Sequence, residues 1–332
     1  MVDKQTFAIL ALVAIVAIIG VWLVWGHQSV SGEKPVIRAG TLLGGISTLD
    51  VMESEKLGEE YGFALKVYRF HKTPEILAAL ERGDIDVAVI PAEMAAKLLE
   101  KGVRLKIIAA DMYQNQAVLS MDPTIKSIGD LVGRRVGAVV ASGTYRMFKA
   151  YVKLAYGVEV SESGGSQKSI HVVNLEPGAM VSALERGDVD AIVAWEPIVS
   201  KALAKGAHIV EDFTSLWRRV GGKELPVMLV YAARESWVES NPDLVKKFVE
   251  ARLEAAKIWI REKSVVVSLL EKLYHLSKKE ADILYSRVKI VDRPLDATIV
   301  NSIKDVWKLA WTGGYLSKDP ASIPDTVFYL GS

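Results

Sequence analysis

"ALERGDIDVAV" occupies Ala79 to Val89, and "ALERGDVDAIV" occupies Ala183 to Val193, an offset of 104 residues. Each copy reads as the end of a helix followed by the start of a buried strand. Arg82 and Arg186 fall in the last helical turn, where a cation meets the negative end of the backbone dipole. Gly83 and Gly187 take the left-handed position that ends a helix, which is accessible to a residue without Cβ. Asp84 and Asp188 continue the turn into buried apolar strands. Stacked repeats recur every roughly 20–50 residues, so these copies mark two comparable lobes instead. The aspartates Asp84, Asp86, Asp188 and Asp190 stand at the N-terminal ends of their strands. Open α/β sheets bind ligands beyond the carboxyl ends, so the repeated phrase is scaffold and not a pair of acid–base carboxylates.

Around the two copies, short β-rich runs alternate with helical patterns, the signature of α/β units on a mainly parallel sheet. Strands are expected at 36–40, 64–70, 86–90, 105–110, 116–121, 135–140, 170–174, 190–194 and 226–232. Helices are expected near 47–61, 74–82, 92–101, 143–156, 177–186 and 196–205. From Ser240 the pattern turns to helix alone. "SNPDLVKKFVEARLEAAKIWI" opens with a Ser or Asn cap and Pro242 in the first turn, and sets Val245, Phe248, Val249, Leu253, Ala256 and Ile260 on one stripe. "SKDPASIPD" at 317–325 reads as loop.

With 332 residues the chain exceeds the usual size of one core. Its 41 basic and 40 acidic residues are interspersed to a net charge of +1. Nucleic acid is therefore not an expected partner. The absence of cysteine excludes disulfides, thiolate metal sites and cysteine nucleophiles, and the five histidines have no metal-ligand spacing. No cofactor and no catalytic residue is expected. Near the start, "FAILALVAIVAIIGVWLVW" at Phe7 to Trp25 carries no charge. A helix of that length spans roughly 28 Å, close to the ~30 Å of a bilayer's apolar core. Residues 1–26 therefore read as an uncleaved membrane anchor in preference to a signal peptide, whose apolar region is shorter. Residues 27–35 read as a tether.

Four phrases in order carry a resemblance: "LAALERGDIDVAVIPAEMAAKLL" (77–99), "SIGDLVGRRVGAVVASGTYRMF" (127–148), "VSALERGDVDAIVAWEPIVSKAL" (181–203) and "LPVMLVYAARESWVESNPDLVKKFVEA" (225–251). Together they resemble the extracytoplasmic solute-binding proteins of ABC importers, in the group that binds sulfonates, taurine, nitrate and thiamine-pyrimidine precursors. The resemblance implies a two-lobed type II periplasmic-binding fold, with lobe one at 36–115 and 231–332 and lobe two at 119–225. Hinges would lie near "YQNQAVL" and "LPVML". It further implies a small polar solute, an ABC permease with its ATPase as partner, and a binding region on the extracytoplasmic side of the cell membrane. An enzyme of thiamine-precursor synthesis shares the fold, but its chemistry uses a cysteine-rich motif that this chain lacks.

Candidate site residues follow from the carboxyl ends of the strands, where helix N-termini offer unpaired N–H groups and a partial positive charge. "ASGTY" is the sharpest: Ser142, Gly143, Thr144 and Tyr145 would cradle a sulfonate, carboxylate or phosphate, although Ser142 also suits simple capping. Gly45, Ser47 and Thr48 of "GGIST" could do the same. His71 could donate to an anion. Pro91, Ala92 and Glu93 follow the first copy of the repeat. Trp195 and Glu196 follow the second, as a stacking wall and an acceptor. Tyr113 and Gln114 would reach the solute from the first hinge.

Overall fold

The computed structural model describes residues 34–162 and 168–331. From Val36 onward the described residues form one compact unit. Two sheets divide it. The first contains β1 (Val36–Leu42), β2 (Ala64–Phe70), β3 (Val87–Pro91), β4 (Leu105–Tyr113) and β11 (Val227–Arg234), in the order β2-β1-β3-β11-β4. The second contains β5 (Ala117–Ser120), β6 (Arg135–Ala138), β7 (Glu159–Ser161), β8 (Ser169–Asn174), β9 (Ala191–Ala194) and β10 (His208–Asp212), in the order β10-β5-β9-β6-β8-β7.

The sheets share a plan. In each, a parallel set is completed by one strand running against it: β11 against β3 and β4, and β5 against β9 and β10. Those two strands are the ones that follow the crossings, so each lobe is closed by chain arriving from the other. The return strand, expected at 226–232, enters the first sheet at Val227, which pairs with Tyr113.

The repeated phrase occupies the same place in both sheets. Gly83 and Gly187 adopt φ of 85° and 72°, and the N–H groups of Asp84 and Asp188 each donate 2.9 Å bonds to the carbonyls of Ala79 and Ala183. Asp86 then accepts from the backbone N–H of Arg38 (2.9 Å) and from its guanidinium (3.0 and 2.6 Å). Asp190 likewise accepts from the N–H of Arg135 (2.8 Å) and more loosely from its Nε (3.4 Å). Each aspartate thereby ties its strand, β3 or β9, to the parallel strand beside it, β1 or β6. β3 and β9 are buried along nearly their whole length, which is why both sequences read as continuous apolar runs.

The C-terminal part is helical: Pro242–Arg261, Lys263–Tyr274, Lys278–Arg287 and Ala297–Thr312. Along the first of these, the apolar stripe is not the one expected. Val245, Phe248, Ala251, Arg252, Ala255, Ala256 and Trp259 are buried, whereas Ile260 is 47% exposed and Leu253 and Val249 are only partly covered. The buried series 245–248–252–255–259 keeps the 3–4 spacing of a helix face, but one of its members is a charged residue. Arg252 donates from Nη2 to the Asp111 carbonyl at 2.8 Å and lies beside the Asp111 carboxylate. A strand at Glu159–Ser161, a strand at His208–Asp212 and a helix at Phe213–Arg219 also lie outside the sequence expectation. They are short and mixed in polarity, so periodicity carries little signal there.

No helix among the described residues is long and apolar enough to cross a membrane. The anchor and tether expected at 1–26 and 27–35 lie, but for Lys34 and Pro35, outside the described residues.

Candidate functional site

Four strand ends, the first crossing and the start of β11 converge on a cavity of about 50 Å³ between the sheets. One enclosed water needs roughly 10–15 Å³ on this measure, so there is room for a solute of few heavy atoms. Thr41, Leu42, Gly45 and Ile46 reach it from the end of β1, and Pro91 and Glu93 from the end of β3. Trp195 and Glu196 come from the end of β9, and Ser142, Gly143 and Thr144 from the turn after β6. Asn115 and Gln116 from the first crossing, and Met228 and Leu229 from the start of β11, complete the wall. A wider hollow of about 260 Å³ adjoins it, sharing Leu42, Thr73, Ser142 and Trp195 and adding His71, Lys72, Arg146 and Glu176.

Ser142 caps the helix Gly143–Tyr156: its Oγ accepts from the Tyr145 N–H at 3.1 Å and donates to the Val139 carbonyl at 2.7 Å. Gly143 faces the other lobe at close range. A Cβ there would fall on Glu93 Oε1 and within 2.9 Å of Pro91 Cβ. Only glycine lets the helix terminus and the first lobe approach this closely.

Glu93 is 3% exposed, and its Oε1 has no hydrogen-bond partner. Burial pushes its carboxyl up to about 7, opposed only by its own backbone N–H. Gln116 Oε1 and Trp195 Nε1, on the same cavity, are also buried without partners. Buried polar atoms are nearly always paired, and here three without partners stand on one cavity. Glu196 is different. Its Oε1 accepts from Arg287 Nε at 2.7 Å and its Oε2 from the Ser200 N–H at 3.1 Å. Arg287 Nη2 also donates to the Asn115 carbonyl at 3.1 Å. Burial still raises the Glu196 carboxyl, with Arg287 opposing. The Glu196–Pro197 peptide is cis.

Several expected site residues lie elsewhere. Ser47 and Thr48 are not on the cavity wall: Ser47 stands at the N-cap of the helix Thr48–Ser54, where its N–H donates to Asp50 Oδ2 at 3.1 Å and its own Oγ is buried without a partner. The Thr48 N–H donates to Asp111 Oδ1 at 3.2 Å, and its hydroxyl bonds Asp111 and, at 2.8 Å, the Tyr231 hydroxyl. The positive end of that helix is thus answered by an internal carboxylate, and an incoming anion finds it occupied. Ala92 is buried beneath the C-terminal helices, its carbonyl accepting from Trp307 Nε1 at 2.8 Å. The Tyr145 phenol donates to Glu162 at 2.7 Å. Tyr113 is engaged through its N–H with the Lys289 carbonyl, and Gln114 accepts from the Tyr151 hydroxyl at 2.8 Å. Asn115 and Gln116 line the cavity where Tyr113 and Gln114 were expected, because the wall is formed where the chain has left β4. His71 stands at the outer hollow and not on the inner cavity. Gly45, Pro91, Glu93, Ser142, Gly143, Thr144, Trp195 and Glu196 are brought together. Arg287 carried no signal, since a basic residue in a charged helical tail reads as solvated surface.

The NMT1-like family matches residues 41–266. The chain is 25% identical over 221 residues to the taurine-binding periplasmic protein of Escherichia coli K12, covering 66% of this chain and 65% of that one. It is 23% identical over 211 residues to a putative aliphatic sulfonates-binding protein of the same organism, covering 61% and 60%. The aligned stretch thus spans just under two thirds of these relatives. Among solved structures, the periplasmic aliphatic sulphonate binding protein of Escherichia coli superposes with a TM-score of 0.69 at 19% identity, covering 86% of this chain and 96% of that one. The periplasmic nitrate-binding protein of Synechocystis PCC 6803 gives 0.67 at 17%, covering 89% and 86%. These likenesses establish the two-sheet periplasmic-binding-protein fold.

Proposed function

Because the chain belongs to the NMT1-like family, we propose that it is the solute-binding protein of an ABC importer, capturing a small polar solute between its lobes and passing it to a membrane permease without turnover. The observation that carries this reading is the inter-lobe cavity with three buried, unpartnered polar atoms, Glu93 Oε1, Gln116 Oε1 and Trp195 Nε1. A solute touching both lobes at once is one whose binding energy favours their closure. The relatives' names, taurine-binding and aliphatic sulfonates-binding, support the class of solute. In this reading residues 7–25 anchor the chain in the cell membrane and the binding region lies on its extracytoplasmic side.

The site assignment rests on Glu93, Gln116, Ser142, Gly143, Thr144 and Trp195. Native mass spectrometry of the gently purified full chain tests the function: a retained small molecule that is lost from Gly143→Phe is the expected result. No retained mass, together with scattering profiles unchanged by any candidate solute, counts against it. A second reading, a heteroaromatic thiamine-pyrimidine precursor, is favoured by the indole of Trp195 on the wall. It requires Trp195→Ala to be a worse lesion than Thr144→Glu, whereas a sulfonate docked at the helix terminus requires the reverse.

A further inference from the structure

The charges on the cavity run opposite to those an anion site needs. Among the described residues no lysine, arginine or histidine lines it, and its two acidic residues differ in their state: Glu196 is held by Arg287, while Glu93 Oε1 has no hydrogen-bond partner. The cationic side chains Lys72 and Arg146 sit in the outer hollow, where Lys72 faces Glu176 at 3.7 Å and Arg146 lies over the rings of Tyr145 and Tyr315 at 5.7 and 5.9 Å. Around Glu93 the remaining titratable groups are phenols. Tyr151 and Tyr315 both register its charge, and Tyr315 in turn stands near Arg146 and Glu100. The turn at Gly143 stands directly against its Oε1, with Pro91 beside it. A bare nitrate or alkanesulfonate placed here would meet the partial charge of one helix terminus and an unpaired buried carboxylate of its own sign, a costly arrangement at low local dielectric.

We propose that the cavity takes an amphoteric solute amine-first. A protonated amine lies against Glu93 Oε1 and Gln116 Oε1 at the inner end, and the acidic group points outward past Ser142 toward the mouth bounded by Lys72 and Arg146. This deepens the solute-binding reading and rests on it. The ammonium supplies both the missing hydrogen bonds and the missing countercharge, and a buried charge is tolerated when it is paired and bonded. The apolar wall of Ile46, Met228 and Leu229 encloses the short carbon chain between the poles. Specificity follows from an unpaired group, since a solute without the amine leaves Glu93 stranded and loses the bond.

The experiment is titration calorimetry on the full chain in detergent micelles with taurine, ethanesulfonate and ethylamine between pH 5.5 and 8.5. At pH 8.5, taurine is expected to bind at least tenfold more tightly than ethanesulfonate. That ratio should shrink toward unity as pH falls below 7 and Glu93 takes up its proton, and taurine binding near pH 6.5 should release a proton while ethanesulfonate binding does not. Glu93→Gln is expected to bring the ratio to within about threefold at every pH. The pH series on the unaltered chain carries the test alone if that variant does not fold. Ethanesulfonate binding as tightly as taurine at pH 8.5, or a ratio that ignores both pH and Glu93→Gln, overturns the amine-first orientation and leaves solute binding standing. Silence from all three probes, with no retained solute in native mass spectrometry, overturns the orientation together with the reading beneath it.

Discussion

Glu93 shows how one residue can be informative through what it lacks. Its carboxyl, raised from 4.5 to about 7 by burial, is protonated in folded and unfolded chain alike below pH 4.5. Between 4.5 and 7 the unfolded chain ionises first, so the folded state holds the extra proton and stability falls as pH rises. Above 7 the loss is complete and constant, on the order of 3 kcal/mol. Glu93→Gln should therefore raise the melting temperature of the solute-free protein by several degrees at pH 8 and by little at pH 4.5. A shift equal at both values would show that the carboxyl does not titrate in this window. Gly143 is the complementary case. Gly143→Ala places a methyl group on Glu93 and Pro91, so solute affinity should drop at least tenfold, read by calorimetry, while the helix it begins stays intact by circular dichroism.

At the scale of the element, the repeated helix stop and strand separates two kinds of aspartate that the sequence writes alike. Asp84 and Asp188 pair with Arg82 and Arg186 in the open, at 2.7 and 2.6 Å, and exposed pairs contribute about 0–1 kcal/mol. Asp86 is buried and fixes both the backbone and the guanidinium of Arg38. Charge-assisted bonds of that kind are worth about 1.5–3 kcal/mol each. Denaturant melts should show Asp86→Ala costing about 2–3 kcal/mol and Asp84→Ala less than 1. Comparable losses would mean that the second aspartate does not anchor the strand. The helix terminus at Thr48 teaches the same lesson about context: its sequence, Ser-Thr after two glycines, suits an anion, and Asp111 from β4 already fills that place.

Across the whole molecule, Arg287 joins three segments distant in sequence: the C-terminal helices, the second lobe through Glu196, and the first crossing through the carbonyl of Asn115. Removing it leaves a fully buried carboxylate without its cation, a change that costs about 3–5 kcal/mol. Arg287→Ala is expected to lower stability by that order, and adding Glu196→Gln should recover a good part by removing the stranded charge. If the double variant is no better than the single one, the pair is not coupled and the tail holds the second lobe by packing alone. The helix Lys278–Arg287 also sends Lys279 to the carbonyl of Ala204 at 2.8 Å, so hydrogen exchange in Ile198–Ala204 should quicken in Arg287→Ala.

The sequence by itself determined the two lobes, because a helix stop, a left-handed glycine and a buried strand are local chemistry written twice in eleven residues. It also determined which strand ends to search, since helix termini follow strands by rule, and that search named Glu93, Gly143 and Trp195, which line one cavity. Tertiary structure alone decided the rest. Whether a helix terminus is free or answered from within depends on a carboxylate 63 residues away, as at Thr48 and Asp111. Whether Arg252 belongs to a face or to solvent depends on β4 behind it. Which of two glutamates is satisfied depends on Arg287, 91 residues from Glu196. Charge neutralisation acts through space, and a pattern along the chain records only which side chains are present to be neutralised.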